Sequence, residues 1–187
     1  MNIDPQKTLK IENVVASAKV NDSIDLVALA AQLPGADYDK KRFPGVVIRI
    51  EKPKIAALVF GSGKVVLTGA KSLDSLETGL KYLLNLLKKY GIKIEGKPKC
   101  SVQNIVTSAD LGSRINLNKI AMGLTLDKIE YEPEQFPGLV YRLEDPKVVV
   151  LLFGSGKVII TGGKKSEDAG RAVEKICADL QELKILQ

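Results

Sequence analysis

A long internal duplication limits what this chain can fold into. The segment FPGVVIRIEKPKIAALVFGSGKVVLTGAK begins at Phe43 and FPGLVYRLEDPKVVVLLFGSGKVIITGGK begins at Phe136; 18 of the 29 aligned positions are identical. The match continues upstream at an offset two residues shorter. Asn13-Val14-Val15 then aligns with Asn104-Ile105-Val106, and Ser17-Ala18 with Ser108-Ala109. A repeat of roughly 90 residues is longer than the roughly 20–50 residues of a solenoid unit. It suits a half-domain of strands and helices, and the two halves are placed at 1–95 and 96–187.

Composition narrows the chemistry. The chain has 187 residues, 45% of them hydrophobic, enough for a real core. No apolar run approaches the roughly 18–20 residues that span a bilayer, and the N-terminus lacks the pattern of a signal peptide. There is no histidine, which removes Ser-His and Cys-His arrangements and most zinc sites. Cys100 and Cys177 stand far apart in no ligand spacing and read as two reduced, mostly buried thiols. No metal, no cofactor and no enzyme activity are expected. Gly61-Ser62-Gly63-Lys64 lacks the strand-to-helix context and spacing of a phosphate-binding loop. The net charge of +6 favours a polyanionic partner, and it is uneven. Residues 1–95 carry 15 Lys/Arg against 10 Asp/Glu, residues 96–187 carry 13 against 12.

Periodicity gives a coarse map of one repeat. Residues 9–18 read as a strand and 25–33 as a short helix capped by Asp25, with Asn116 its counterpart. Four short strands follow at 37–43, 46–51, 54–60 and 64–69, separated by Pro-Gly, Lys-Pro and Gly-Ser-Gly turns. Residues 73–89 form an amphipathic helix with Leu73, Leu76, Leu80, Leu83, Leu84 and Leu87 on its apolar face, capped by Ser72 and stopped near Gly91. The second repeat ends in a matching helix at roughly 166–183. The expected class is α+β, a mostly antiparallel sheet with helices on one face.

The strands raise a difficulty that points to function. Ile55 to Phe60 is apolar on both faces, and so is Val148 to Phe153, yet the helices cover only one face. Following the face that holds Phe60 by parity collects Asn13, Val15, Phe43, Val47, Arg49, Leu58, Lys64, Val66 and Thr68. The second repeat gives Asn104, Val106, Phe136, Val140, Arg142, Leu151, Phe153, Lys157, Ile159 and Thr161. All four phenylalanines of the chain fall in this set. A core would not hold two Asn, two Thr and four cations, and a solvated face would not hold four Phe. Aromatics at strand ends beside turns suit wedges, whereas mid-strand aromatics suit stacking platforms for single-stranded bases.

FPGLVYRLEDPK followed by VLLFGSGKVIITG, with QNIV upstream, resembles the TATA-binding protein family over nearly the whole chain and in both repeats. The resemblance implies one curved, saddle-like sheet with helices on its convex side, lying along the minor groove of A/T-rich promoter DNA and bending it. It implies that Phe43, Phe60, Phe136 and Phe153 intercalate at the ends of the site. Asn13, Thr68, Asn104 and Thr161 would meet central base edges by hydrogen bonds. Val15, Leu58, Val66, Val106, Leu151 and Ile159 would meet them by van der Waals contact. Arg49, Ser62, Lys64, Lys71, Arg142, Ser155, Lys157 and Lys164 would meet phosphates. Glu130, Glu132 and Glu134, where the first repeat has Lys40, Lys41 and Arg42, would dock a transcription factor B-type protein. The implied role is a general initiation factor that nucleates assembly with that partner and, indirectly, RNA polymerase, with a homodimer possible without DNA. With no long N-terminal extension, the chain is similar to the archaeal form, although it ends without the acidic tail that some archaeal relatives carry. That implies a cytoplasmic, nucleoid-associated protein, or a nuclear one in a eukaryote.

The residues suit that chemistry. An apolar face offers no acceptor to the guanine amino group in the minor groove, while Asn and Thr can donate to the acceptors of A·T and T·A. Unstacking a step costs about a few kcal/mol, and this family is itself the standard example of such wedging; one buried Phe returns roughly 1.5–3 kcal/mol, so several wedges are needed. Two other readings stay open at this level: a single-strand binder that stacks bases on the sheet, and a scaffold that dimerises through its uncovered face.

Overall fold

The structure is a computed structural model that describes residues 3–36, 38–125 and 127–186. The chain divides into two compact units, Asn13–Gln103 and the segment ending at Glu12 together with the chain from Asn104 onward.

In the unit of the first repeat, β1 (Lys10–Lys19) leads to α1 (Leu26–Gln32), β2 (Gly45–Ile50), β3 (Ile55–Phe60), β4 (Lys64–Ala70) and α2 (Leu73–Lys89). The strand order is β2-β3-β4-β1, every pair antiparallel. Both helix starts follow the sequence. The Asp25 carboxylate accepts from Val27 and Ala28 N–H, and the Ser72 hydroxyl accepts from Ser75 N–H. Gly91, at φ 78°, follows the end of α2. Leu76, Leu80, Leu83 and Leu87 are buried with Ala57, Val59, Val65 and Leu67 of the sheet, whereas Leu73, expected on that face, is exposed.

The second unit repeats the plan. It contains β5 (Ser101–Asp110), α3 (Leu117–Gly123), β6 (Ile129–Glu130), β7 (Leu139–Leu143), β8 (Val148–Leu152), β9 (Lys157–Gly163) and α4 (Asp168–Glu182). Its strand order is β5-β9-β8-β7-β6, again antiparallel. The Asn116 amide oxygen caps α3 by accepting from Lys119 N–H. Glu167 makes no capping bond for α4; instead the Asp168 carboxylate accepts from Lys164 and Lys165 N–H, 3.0 Å each. The core packs Val150, Leu152, Val158 and Ile160 against Ala172, Val173, Ile176 and Leu180. Tyr141 is buried in it and its hydroxyl donates to Asp179 Oδ2 at 2.7 Å; burial and that carboxylate hold the phenol well above its usual range.

Two further expectations need correction, and one element has no counterpart in the sequence pattern. The strand expected at 37–43 does not form among its described residues. Asp39 Oδ1 accepts from Lys41 N–H, and Asp39 C=O accepts from Arg42 and Phe43 N–H, so a local turn takes the donors a ladder would need. The cysteines, expected to be mostly buried, are half-buried, with burial raising both thiols. A 3-10 turn at Pro5–Thr8 was not foreseen. Gln6 Nε2 donates to Gly170 C=O at 2.8 Å, docking it on α4.

Because the helix side carries the packing energy, Leu83→Ala and Ile176→Ala are each expected to cost about 2–5 kcal/mol. Urea denaturation would read this as a lowered midpoint, with the folded variant keeping its far-ultraviolet circular dichroism.

Candidate nucleic-acid interface

The two-residue period of the strands separates their faces cleanly. In β3 the pattern from Ile55 alternates buried and half-buried, and in β8 the same holds from Val148. Ala57, Val59, Val150 and Leu152 turn to the helices. Leu58 pairs with Val47 of β2 and Val66 of β4, and all three are half-buried on the other face. Leu151 pairs likewise with Val140 and Ile159. Val15 and Val106 are half-buried as well. Within each unit the parity assignment therefore collects a contiguous apolar surface that no helix covers.

At the turn-proximal end of that surface stands a pair of rings. Phe43 and Phe60 pack edge to face with centroids 5.7 Å apart; Phe136 and Phe153 do so at 5.9 Å. Such pairs gain roughly 0.5–1.5 kcal/mol beyond their buried area. The rings remain partly open, Phe136 at 38%. What seats them is the glycine of the Pro-Gly turn. A Cβ on Gly138 would lie 2.7 Å from Phe136 Cε1 and 3.0 Å from Phe153 Cε1, and one on Gly45 would lie 2.9 Å from Phe43 Cε1. The Phe-Pro-Gly motif carried this signal: the third position must be bare so that both rings can lie over the strand.

The polar groups form a second matched device. Val14 pairs with Ala70 but Ala16 pairs with Leu67, so β4 holds one extra residue beside Thr68-Gly69. Ile105 with Gly163 and Thr107 with Ile160 show the same bulge in β9 beside Thr161-Gly162. Gly69 and Gly162 take φ of 96° and 95°, which turns each N–H out of the ladder. Gly69 N–H donates to Asn13 Oδ1 at 2.7 Å, and Gly162 N–H to Asn104 Oδ1 at 2.6 Å. Asn13 Nδ2 donates to Thr68 Oγ1 at 3.3 Å, and Asn104 Nδ2 to Thr161 Oγ1 at 3.2 Å. The glycine N–H fixes the amide's orientation, since only oxygen can accept from it. Each Asn then keeps one N–H donor uncommitted beside the apolar surface. A glycine inside a strand pattern signals a bulge, and the matched Thr-Gly pairs showed it in the sequence.

Cations and hydroxyls lie at the margins. Arg49, Ser62, Lys64, Lys71, Ser155, Lys157 and Lys164 are all exposed. Arg142 is also exposed but forms an ion pair with Glu130 at 2.8 Å, so two residues assigned to different partners engage each other. Glu132 and Glu134 are exposed in the turn that precedes Phe136. A residue outside the expected set joins this margin: Lys10, 3.7 Å from Glu12, lines a groove with Ser108, Phe153, Ser155 and Lys157. Among the described residues no cluster of His, Cys, Asp and Glu could hold a metal ion, and no helix is long and apolar enough to cross a membrane.

Comparison with known proteins decides the family. The model for transcription factor TFIID (or TATA-binding protein, TBP) matches residues 8–90 and again 99–183. The chain belongs to the TATA-binding protein family. It is 58% identical over 183 residues to TATA-box-binding protein E of Halobacterium salinarum, covering 98% of both chains. It is 54% identical over 178 residues to the TATA-box-binding protein of Archaeoglobus fulgidus, covering 95% of this chain and 97% of that one. The solved structure of the Methanococcus jannaschii TBP is similar at a TM-score of 0.84 and 52% identity, covering 94% of this chain and 99% of that one. The fold class read from the repeats, α+β with antiparallel strands and helices, is that of this family member.

If the bare glycine seats the rings, Gly138→Ala will separate Phe136 from Phe153. The rings are partly open and can swing aside, so the cost falls at or below the low end of the roughly 1–3 kcal/mol of core overpacking. Loss of the nuclear Overhauser contacts between the two rings in the NMR spectrum, with a lowered melting temperature, is the expected result.

Proposed function

We propose that this chain is a general transcription initiation factor that binds A/T-rich promoter DNA through the minor groove and bends it. The observation that carries the reading is the repeated pairing of edge-packed phenylalanines with an oriented Asn-Thr couple on a helix-free apolar face. Each repeat would take one half of the site. Phe43 with Phe60, and Phe136 with Phe153, act as wedges that part a base step. Val15, Leu58, Val66, Val106, Leu151 and Ile159 press on sugars and bases. Asn13, Thr68, Asn104 and Thr161 donate to the acceptors of central A·T pairs. Arg49, Ser62, Lys64, Lys71, Ser155, Lys157 and Lys164 neutralise or hydrogen-bond phosphates, joined by Arg142 when it leaves Glu130.

The energy argument favours a duplex over a single strand. A face of Val, Leu, Ile and Phe gains from being covered, at roughly 25 cal/mol per Å² of apolar area. That gain offsets the elastic cost of bending, about 1–10 kcal/mol. The rings lie at strand ends, against a glycine, not in mid-strand where bases would stack. The acidic turn with Glu132 and Glu134, beside Glu130, offers carboxylates to a transcription factor B-type protein, through which RNA polymerase is recruited. The archaeal sources of the similar proteins support a cytoplasmic, nucleoid-associated place for this work.

Two experiments test the reading. In a gel-shift and bending assay on a TA-rich site, Phe60→Ala is expected to lose bending far more than non-specific affinity, because the phosphate contacts remain. Equal bending by the variant would sink the wedge assignment. Replacing a central A·T pair by G·C is expected to weaken binding by roughly 1–3 kcal/mol, and inosine·cytosine at the same place to restore it. Inosine lacks only the amino group that the apolar face cannot accept, so a persistent loss with inosine would argue against minor-groove readout.

A further inference from the structure

Two turns with the same backbone carry opposite charge. In the first repeat, Asp39 C=O accepts from Arg42 and Phe43 N–H at 2.9 and 2.8 Å; in the second, Glu132 C=O accepts from Gln135 and Phe136 N–H at 2.9 and 3.0 Å. Each turn therefore delivers the chain into the first ring of its pair. The first reads Asp39-Lys40-Lys41-Arg42, one acid and three bases, for a charge of +2. The second reads Glu132-Pro133-Glu134-Gln135, two acids, for −2. Lys40, Lys41 and Arg42 are exposed, and so are Glu132 and Glu134. The remaining parts of the interface match between repeats: rings, glycine seat, Asn-Thr couple and Ser-Gly-Lys hairpin. The charge of these turns is the largest difference at equivalent positions next to the wedges.

We propose that the Lys40-Lys41-Arg42 turn clamps the phosphates that flank one end of the A/T site, and that this one-sided clamp orients the complex wherever the two flanks differ in the charge or exposure of their backbone. The inference rests on the reading of the helix-free faces as a duplex-binding surface. A minor groove presents A·T and T·A with nearly the same acceptors, so base readout by two matched Asn-Thr couples gives little preference between the two orientations. The phosphates do not distinguish bases either, but they are present at every step, about one per 3.4 Å on each strand. A basic turn directly ahead of the wedge at one end gains from the backbone just outside the opened step. An acidic turn at the other end is repelled by it. Two flanks of equal charge give both orientations the same energy; where one flank's phosphates are more exposed or more fully charged, that flank is drawn to the first repeat. The acidic turn stays free of DNA, which suits carboxylates offered to a protein.

The test uses a duplex with a palindromic A/T core, whose flanking phosphates are left intact or replaced by uncharged methylphosphonates on one side or on both. The full chain carries a donor dye at Ser166→Cys in a Cys100→Ser, Cys177→Ser background, and one DNA end carries the acceptor. On the one-sided duplex, energy transfer should show one orientation favoured several-fold, with the intact flank at the first repeat. Lys40→Gln with Lys41→Gln should lower the slope of log K against log salt by about 1.8, at about 0.9 per phosphate contact. The same variant should equal the parent on the duplex neutral on both sides. Glu132→Lys with Glu134→Lys, which gives both turns +2, should bring the orientation ratio back towards one. Equal orientations on the one-sided duplex, or an unchanged salt slope for the Lys40/Lys41 variant, overturn the clamp while leaving a protein that still binds and bends the A/T core. A parent chain with no preference for the A/T core over random duplex overturns both the clamp and the reading beneath it.

Discussion

The whole arrangement depends on strands that are apolar on both faces but covered on one. Alternation at a period of two sends Ala57, Val59, Leu67 and their counterparts Val150, Leu152, Ile160 under the helices, where they are fully or almost fully buried. That side supplies the stability of each unit. Leu58, Val66, Leu151 and Ile159 contribute little to it, and are thereby available to something else. A one-residue slip in register would exchange the two sets and would put Asn and Thr into the core. The bulges in β4 and β9 sit beside the hydrogen-bonded Asn amides, so a slip would break those bonds, and the same bulges aim the side chains.

Much of this was legible because the sequence says it twice. A lone Asn13 in a strand, or a lone Phe60 before a turn, is compatible with many local structures. The same residues at matching positions in both copies, on a face fixed by parity, are not. The parity argument worked because the strands are short and regular between well-marked turns. Asp25, Asn116 and Ser72 cap helices as their residue types suggest. The strand expected at 37–43 is absent over residues 38–43 for a physical reason. Tyr38 and Phe43 have β-favouring side chains, yet Asp39 closes an Asx turn that propensity does not weigh. Leu73 fits the helical stripe by spacing but lies at the first residue of α2, where the exposed side of the helix end leaves it uncovered.

What the sequence did not reveal depends on contacts between distant side chains and backbone. The bare glycine beneath each ring pair is a matter of ångström-scale clearance, which no periodicity encodes. The donation from Gly69 and Gly162 to the two asparagines needs the positive φ and the bulge together. The pairing of Arg142 with Glu130 joins residues twelve apart across a two-residue strand that composition gave no reason to expect. The docking of Pro5–Thr8 on α4 is likewise a long-range contact, written in Gln6 and Gly170 only once the chain has folded.

The Asn-Thr couples have one further consequence. The centre of each helix-free face is built from amide, hydroxyl and hydrocarbon, and the chain has no histidine. None of these groups gains or loses a proton anywhere near neutrality. On the proposed reading, contact with bases is therefore indifferent to acidity, while the lysine and arginine margin responds to the ionic strength around it. If the face reads bases as proposed, a cell whose internal salt varies would retune how tightly the protein holds DNA without altering which bases it accepts.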